Sequence, residues 1–290
     1  MIAAFNAHDT ISETIHSLRD AVLTFHGDSP SLIIVDDGSA PELQRVLDEA
    51  ACPNLYQLVR LPVNKGLWFA RNTGVSLVRT PYVTFVDADD LVLPNFFSTL
   101  ESDLFGAPDA VATKYTAWYP ETGDYVDDPR RFPKASDQRA KITAGCFMPS
   151  FSTIKRDVFL DVGGYRPEVT EDWDFWLRFF RQGHTAVPSV QRSYVYRVHT
   201  GSLSRRGDLP ARDLRTIRVA RTETRYLFEK LALSTSSLHW SRLARHNGLR
   251  SSGISGISQR IMALGLPVVT ELVHRCLFAL WRVVRLFTQA

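Results

Sequence analysis

At 290 residues, with 44% hydrophobic and 22% charged side chains, the chain suits one large α/β domain with an extension, or two modest domains, and excludes a disordered polypeptide. Its three cysteines, Cys52, Cys146 and Cys276, are far apart and cannot all pair, which excludes a disulfide framework and favours a reducing, cytoplasmic setting. The net charge of +3 is uneven: from Arg206 onward Lys and Arg outnumber Asp and Glu by 14 to 5, whereas residues 1–205 hold 20 basic against 26 acidic residues.

An acidic body repels phosphate backbones, so nucleic acid is not an expected partner. The start, Met1-Ile2-Ala3-Ala4-Phe5-Asn6, lacks the basic region and apolar run of a signal peptide. No stretch of eighteen uncharged apolar residues predicts a membrane-spanning helix.

In chain order, Ile2 to Phe5 reads as the end of a short strand that delivers Asn6. Ile11, Ile15, Leu18, Val22 and Phe25 recur at helical spacing, with Thr10 and Glu13 as a capping box and Gly27 as a stop. Leu32 to Val35 is a continuous apolar run, as expected of a strand covered on both faces, and ends in Asp36-Asp37-Gly38-Ser39. Ser39 with Glu42 gives a second capping box, for a helix that buries Leu43, Val46 and Leu47. A third strand, Leu55 to Leu61, leads to Asn64-Lys65-Gly66 and a helix through Leu67, Ala70, Arg71, Asn72, Gly74 and Val78. The fourth strand, Tyr82 to Val86, is β-branched and aromatic and breaks into Asp87-Ala88-Asp89-Asp90.

Strand and helix thus alternate, which predicts a parallel sheet with helices on both faces. Ligands bind such sheets beyond the carboxyl ends of the strands, where Asn6, Asp36, Asp37, Lys65, Asp87 and Asp89 fall. Carboxylates spaced Asp-x-Asp suit a hard divalent cation, which would in turn grip a diphosphate. The plainer alternative is a solvated acidic loop.

Further on, the pattern predicts a helix from Pro94 to Phe105, a strand from Ala110 to Thr116 and a hairpin from Trp118 to Val126. Asp127 to Lys141 reads as a polar loop that orders with substrate. Gly145 to Phe151 forms a tight, partly apolar segment near the site, and Val158 to Gly164 ends in a Gly-Gly turn. Thr170 to Arg178 is a helix that opens with acids, and Tyr194 to Arg197 alternates as a strand before His199. Beyond Arg206 the pattern is helical and basic, with a Gly/Ser-rich linker at 251–258 and a last helix from Pro267 to Phe287.

Four motifs occur in order: Val35-Asp36-Asp37-Gly38-Ser39; Asn64-Lys65-Gly66 with Ala70-Arg71-Asn72-Thr73-Gly74; Val86-Asp87-Ala88-Asp89-Asp90; and Thr170-Glu171-Asp172-Trp173. Together they resemble a family 2 glycosyltransferase of the bacterial cell-envelope polysaccharide kind. The resemblance implies a GT-A fold, a Rossmann-like α/β architecture with a mostly parallel sheet flanked by helices, over residues 1–205. Residues 206–290 would be a basic helical extension.

It also implies a division of labour. Ala4 and Asn6 on the first loop, and Asp36 or Asp37, would face the base or ribose of a nucleotide-diphosphate sugar, a UDP-sugar being the expected donor; the alternative for the aspartate pair is a turn carboxylate capping the next helix. Lys65 and Gly66 would face the diphosphate, or Lys65 would be merely solvated, and Arg71 or Asn72 would help place the nucleotide. Asp87 and Ala88 would contact ribose or water around a Mn2+ or Mg2+ ion, which Asp89 would ligate directly, with His199 of a Tyr-Arg-x-His pattern nearby. Asp90 would support either role or cap the next turn. Asp172, with Glu171 beside it, resembles the family's base, although two acids also suit a helix N-terminus. Trp173 and Trp176 would offer a stacking face for a sugar or pack in the core.

The implied reaction is a metal-dependent, inverting transfer of a sugar to a glycan or lipid-linked acceptor. Family members usually begin with a full strand before a Pro-x-Tyr-Asn-like turn, whereas here Met1 starts within that strand and Ala4-Phe5-Asn6 replaces the turn. The C-terminal helix suits an anionic membrane surface, as a peripheral contact on the inner face, and equally suits docking on the catalytic domain or on a second subunit of a homo-oligomer. Two alternatives stand: a haloacid-dehalogenase-like phosphatase, whose nucleophile motif is also Asp-x-Asp after an apolar strand, and a non-catalytic sugar-nucleotide binding module.

Overall fold

The computed structural model describes residues 1–27, 30–49, 55–128, 131–143, 145–167, 170–199 and 216. In chain order they form β1 (Ile2–Ala4), α1 (Ile11–Leu23), β2 (Leu32–Asp36), α2 (Pro41–Glu49), β3 (Tyr56–Arg60), α3 (Leu67–Leu77), β4 (Tyr82–Thr84), β5 (Val86–Asp87) and β6 (Leu91–Val92). There follow α4 (Phe96–Asp103), β7 (Ala110–Tyr119), β8 (Asp124–Asp127), α5 (Ala135–Ile142), β9 (Thr153–Lys155), α6 (Arg156–Val162), α7 (Glu171–Arg181) and β10 (Ala186–Arg197). All belong to a compact unit, Met1–Ala220. The helical extension expected over 206–290, and with it the linker and the last helix, falls outside the described residues apart from position 216.

The first sheet follows from the sequence pattern. It has the order β3-β2-β1-β5 and is parallel throughout, with Ile2 opposite both Ile34 and Val86. Because successive side chains of a strand point to opposite faces, β2 feeds two cores. Ile33 and Val35 join Ala70, Val75, Phe159, Phe175 and Trp176 on one face, whereas Ile34 joins Ile11, Ile15, Leu18 and Leu43 on the other. Helices therefore cover both faces, as the continuous apolar run of β2 predicts.

The fourth strand, expected from Tyr82 to Val86, departs from expectation. It splits at Phe85: β4 pairs with β9 in a second, mixed sheet of order β4-β9-β7-β10-β6, and only β5 joins the first. Phe85 is buried against Phe159 and Tyr165, and its amide reaches Ser152 while that of Val86 reaches Met1. The strand thus changes partners at a single buried aromatic residue, directly before the acidic turn. In the second sheet β7 and β10 are parallel and the remaining pairs antiparallel, with β8 forming the expected hairpin on β7.

Two other expectations give way to tertiary contacts. The polar stretch read as a loop contains α5, because Gln138 is buried and exchanges two hydrogen bonds with the backbone of Ala186 (3.0 and 2.7 Å). Both tryptophans of α7 pack inside: Trp173 is buried with Nε1 donating to the Ile142 carbonyl (2.7 Å), and Trp176 is among the most deeply buried side chains. The stacking face for a sugar is therefore not on α7.

Candidate active site

The loops after β1, β2 and β3 are tied to one another along the carboxyl rim. Asn6, at φ 51°, donates its amide to Ser39 Oγ and accepts the Ala40 amide on Oδ1, both at 3.0 Å. Ser39 thus turns to Asn6 and does not build a capping box with Glu42. Asp36 accepts the Ser39 amide (3.0 Å), the turn-capping geometry. Asp37 is buried, receives no side-chain donor among the described residues, and accepts the backbone amides of Lys65 and Gly66 (both 2.8 Å), while its own amide bonds to the Ala4 carbonyl. A carboxylate here suits the N-terminus of α3, where two amides otherwise lack partners. Lys65 is exposed, its Nζ lying 4.7 Å from the centre of the Phe69 ring.

The acidic turn is held from below by α1. Thr10 and Thr14 both donate from Oγ1 to the Ala88 carbonyl (2.9 and 3.1 Å), so Thr10 grips the turn and does not cap its own helix. Glu13 pairs with Arg197 (2.5 Å), whose Nε donates to the Asp89 carbonyl (2.6 Å). Asp90 is fully buried and accepts from the Tyr194 hydroxyl and the Arg197 amide (both 2.8 Å). Burial, then the neighbouring Asp87 and Asp89, push its pKa well above the carboxylate range. Asp90 is thus the anchor of the turn.

Asp87 and Asp89 point elsewhere. Asp87 accepts from Arg71 Nη2 (2.6 Å) and from Ser150 Oγ (2.9 Å), one donor on each oxygen. Asp89 Oδ2 lies 3.0 Å from His199 Nε2, on side chains about a third exposed (35% and 32%). Burial and the charge of Asp87 raise the Asp89 pKa, and His199 opposes the shift. Two carboxylates held close at a half-open rim accommodate added positive charge. Among the described residues no three His, Cys, Asp or Glu side chains converge as a ready-made metal cage. Asp89 with His199 supplies two donors, and Mg2+ typically takes the rest of its shell from phosphate and water. The donor set therefore fits a divalent ion brought in with a diphosphate.

Arg71 connects this rim to α7. Its buried guanidinium lies over the rings of Phe85 (5.6 Å) and Tyr165 (5.5 Å). Burial alone would lower its pKa, but Asp87, Tyr165, Glu171 and Asp172 together hold it above its ordinary value, so it stays charged. The Asp172 carboxyl is pushed up to about 6 by burial and then by Glu171, while Arg71 and the Trp173 amide pull it back. Asn72 faces away from this cluster: its side-chain amide bonds both ways to the Tyr165 backbone (2.8 and 2.9 Å). The structure thus gathers Arg71, Asp87, Glu171 and Asp172 in one electrostatic group and Asp89 with His199 beside it. Ala4, Asn6, Asp36, Asp37 and Gly66 frame the rim largely through backbone contacts. Ser150, Tyr165 and Tyr194, which sequence motifs did not single out, complete the surroundings of Asp87. Only Tyr194 carried a signal, as part of an alternating strand.

The parallel sheet flanked by helices, with the acidic turn at its rim and an acid-led helix beside it, is a GT-A architecture. The profile described as Glycosyl transferase family 2 matches residues 1–163, and the chain belongs to that family. It is 25% identical over 214 residues to UDP-Glc:alpha-D-GlcNAc-diphosphoundecaprenol beta-1,3-glucosyltransferase WfaP of Escherichia coli, covering 70% of this chain and 78% of that protein. It is 29% identical over 169 residues to a glucosyl-dolichyl phosphate glucuronosyltransferase of Haloferax volcanii, covering 54% of this chain and 51% of that one. Several curated relatives are matched over less than two thirds of their length, two of them over 51% and 36%. In fold it matches Staphylococcus aureus TarS 1–349, solved in complex with UDP-GlcNAc, at a TM-score of 0.56 and 16% identity, covering 76% of this chain and 64% of that one. Family membership sets the phosphatase alternative aside. No helix among the described residues is long and apolar enough to cross a membrane.

Proposed function

We propose that the chain is a metal-dependent, inverting glycosyltransferase that moves a sugar from a nucleotide-diphosphate donor, a UDP-sugar in the first instance, to a hydroxyl of a glycan or lipid-linked acceptor. The observation that carries this reading is the Arg71 cluster. One buried cation lies among a rim carboxylate, Asp87, and the acid-led start of α7, with Glu171 and Asp172, so donor and acceptor functions share one electrostatic centre. The names of similar proteins, which act on lipid-linked sugars or bind UDP-GlcNAc, support the choice of donor and acceptor class.

In this reading Asp172 takes the proton of the acceptor hydroxyl as it attacks the anomeric carbon. A single displacement with one base inverts the configuration. Arg71 orients Asp87 toward the nucleotide, and Ser150 fixes its second oxygen. Asp89 and His199 would hold Mn2+ or Mg2+, which when bound neutralises the diphosphate and the charge that builds on the leaving group. Lys65 reaches toward the same phosphates from the start of α3. The reading is tested by calorimetric titration of UDP, GDP and dTDP, with and without Mn2+, on the wild type and Asp89→Ala. Metal-dependent binding of one nucleotide, lost in the variant, is expected. If the wild type binds none under either condition, the assignment fails.

A further inference from the structure

The hairpin β7–β8 carries aromatic surface that the fold does not use. Every residue of β8 is exposed, Tyr125 by 63%, yet its ring stacks on Trp118 with centroids 6.0 Å apart and planes within 9°. The two are direct partners across the strands, and Trp118 is in turn the partner of Arg197 on β10. The Arg197 guanidinium sits 4.7 Å from the centre of the Trp118 ring. Tyr125, Trp118 and Arg197 therefore form one row across three adjacent strands, spanning about 10 Å at ordinary strand spacing. Arg197 ends that row on the Asp89 carbonyl, held there by Glu13.

A cross-strand aromatic pair by itself stabilises a hairpin and needs no ligand. Three further features point outward. The inner end of the row is fixed to the acidic turn, so the platform is positioned relative to the reacting centre. The Tyr125 ring stacks on Trp118, whose other side is taken by Arg197, so the outer face of Tyr125 is the flat surface the row presents. Around them are polar groups, with Thr116 and Arg192 both bound to Asp127 (2.8 and 3.1 Å). A flat aromatic face with a hydrogen-bonding rim matches a pyranose ring, whose C–H face is apolar and whose edge carries hydroxyls.

We infer that the outer face of Tyr125, backed by Trp118, is an acceptor-side sugar platform, on which a pyranose ring of the acceptor glycan stacks while its neighbouring ring reaches the site at Asp89 and Asp172. The inference rests on the glycosyltransferase reading and names where the acceptor, not the donor, is held. Its reach suits an acceptor of more than one sugar. It also supplies the stacking face that Trp173 and Trp176, being buried, do not offer.

The test uses the full chain as wild type, Tyr125→Ala and Tyr125→Phe. Each is read on an array of oligosaccharides with glucose, galactose and N-acetylglucosamine repeats, and titrated with UDP by calorimetry in parallel. Because Tyr125 is exposed, all three proteins are expected to fold and to bind UDP equally. Oligosaccharide affinity should fall about tenfold in Tyr125→Ala, the scale of one lost aromatic contact, and stay near wild type in Tyr125→Phe. Equal binding by Tyr125→Ala, or a wild type that binds UDP and no oligosaccharide, would overturn the platform. So would a concentration-dependent dimer that Tyr125→Ala abolishes, since the face would then belong to a second copy. A wild type that binds oligosaccharide through Tyr125 but no nucleoside diphosphate would keep the platform and sink the transferase reading.

Discussion

Asp172 illustrates how one side chain acquires a working proton affinity. Burial and the adjacent Glu171 lift its pKa to about 6, while Arg71 and the Trp173 amide prevent it from rising further. Only the ionised form accepts a proton, so a base with this pKa is inactive below pH 6 and active above it. The rate of sugar transfer at saturating donor should therefore climb through a midpoint near pH 6 and level off. Asp172→Asn should lower kcat by about 10²–10⁴-fold across the range with UDP affinity unchanged. A rate that stays flat from pH 5 to 8, or a variant that retains full kcat, would remove Asp172 from the base role. Arg71 makes the same point from the other side: it is a buried cation held by the acids and aromatic rings around it, so its loss would disturb Asp87 and Asp172 together.

At the level of elements, the rim is built from loops that hold one another. Asp37 is the clearest case, with both carboxylate oxygens bonded to amides at the start of α3. Asp37→Ala leaves those part-buried amides without this partner, which costs about 2 kcal/mol and should lower the melting temperature by ~5 °C. Differential scanning calorimetry decides it: unchanged melting with lost UDP binding would mean that Asp37 serves the ligand and not the loop. Gly38, beside it, sits at φ 70°, and a Cβ there would come within 2.4 Å of the Val63 backbone, which is why the motif has glycine. Element type and order through α3, and the helix α4, were legible because periodicity and turn residues are local signals. The division of the fourth strand into β4 and β5, and the short β6, were not. What was not legible lies in partners distant along the chain. Thr10 and Ser39 fit capping boxes by spacing, yet their hydroxyls serve Ala88 and Asn6, 78 and 33 residues away. No local pattern announces α5 either, since its anchors are Ala186 and Trp173. The motif aspartates stand out by spacing alone, whereas Ser150 and Tyr165 do not, because one contact with Asp87 or Arg71 leaves no periodic trace.

At the largest scale, the described fold is two sheets that meet at the acidic turn, and Tyr194 bridges them. Its ring, on β10 of the second sheet, stacks on Phe151 with centroids 4.0 Å apart, and its hydroxyl reaches the first sheet. There it accepts the Asp87 amide (3.1 Å) and donates to Asp90 Oδ2 (2.8 Å). Burial, followed by the charges of Asp90 and Asp87, keeps this phenol well above its usual pKa, so it remains a donor at any pH at which the protein is studied. Tyr194→Phe keeps the ring and its stacking but strands a backbone amide and one oxygen of a buried carboxyl. The expected destabilisation is ~1–3 kcal/mol, read as a fall in melting temperature of roughly 2–10 °C. The Asp87–Asp90 turn would lose its link to β10 through this hydroxyl while keeping those through Arg197, so the turn should loosen without unfolding. Metal-dependent UDP affinity is then expected to drop more than the loss of stability accounts for, measured well below the melting transition where the folded fraction is complete. Were melting to fall while UDP affinity held, the two sheets would be joined by Tyr194 for stability alone, and the position of the acidic turn would rest on Arg197 and α1.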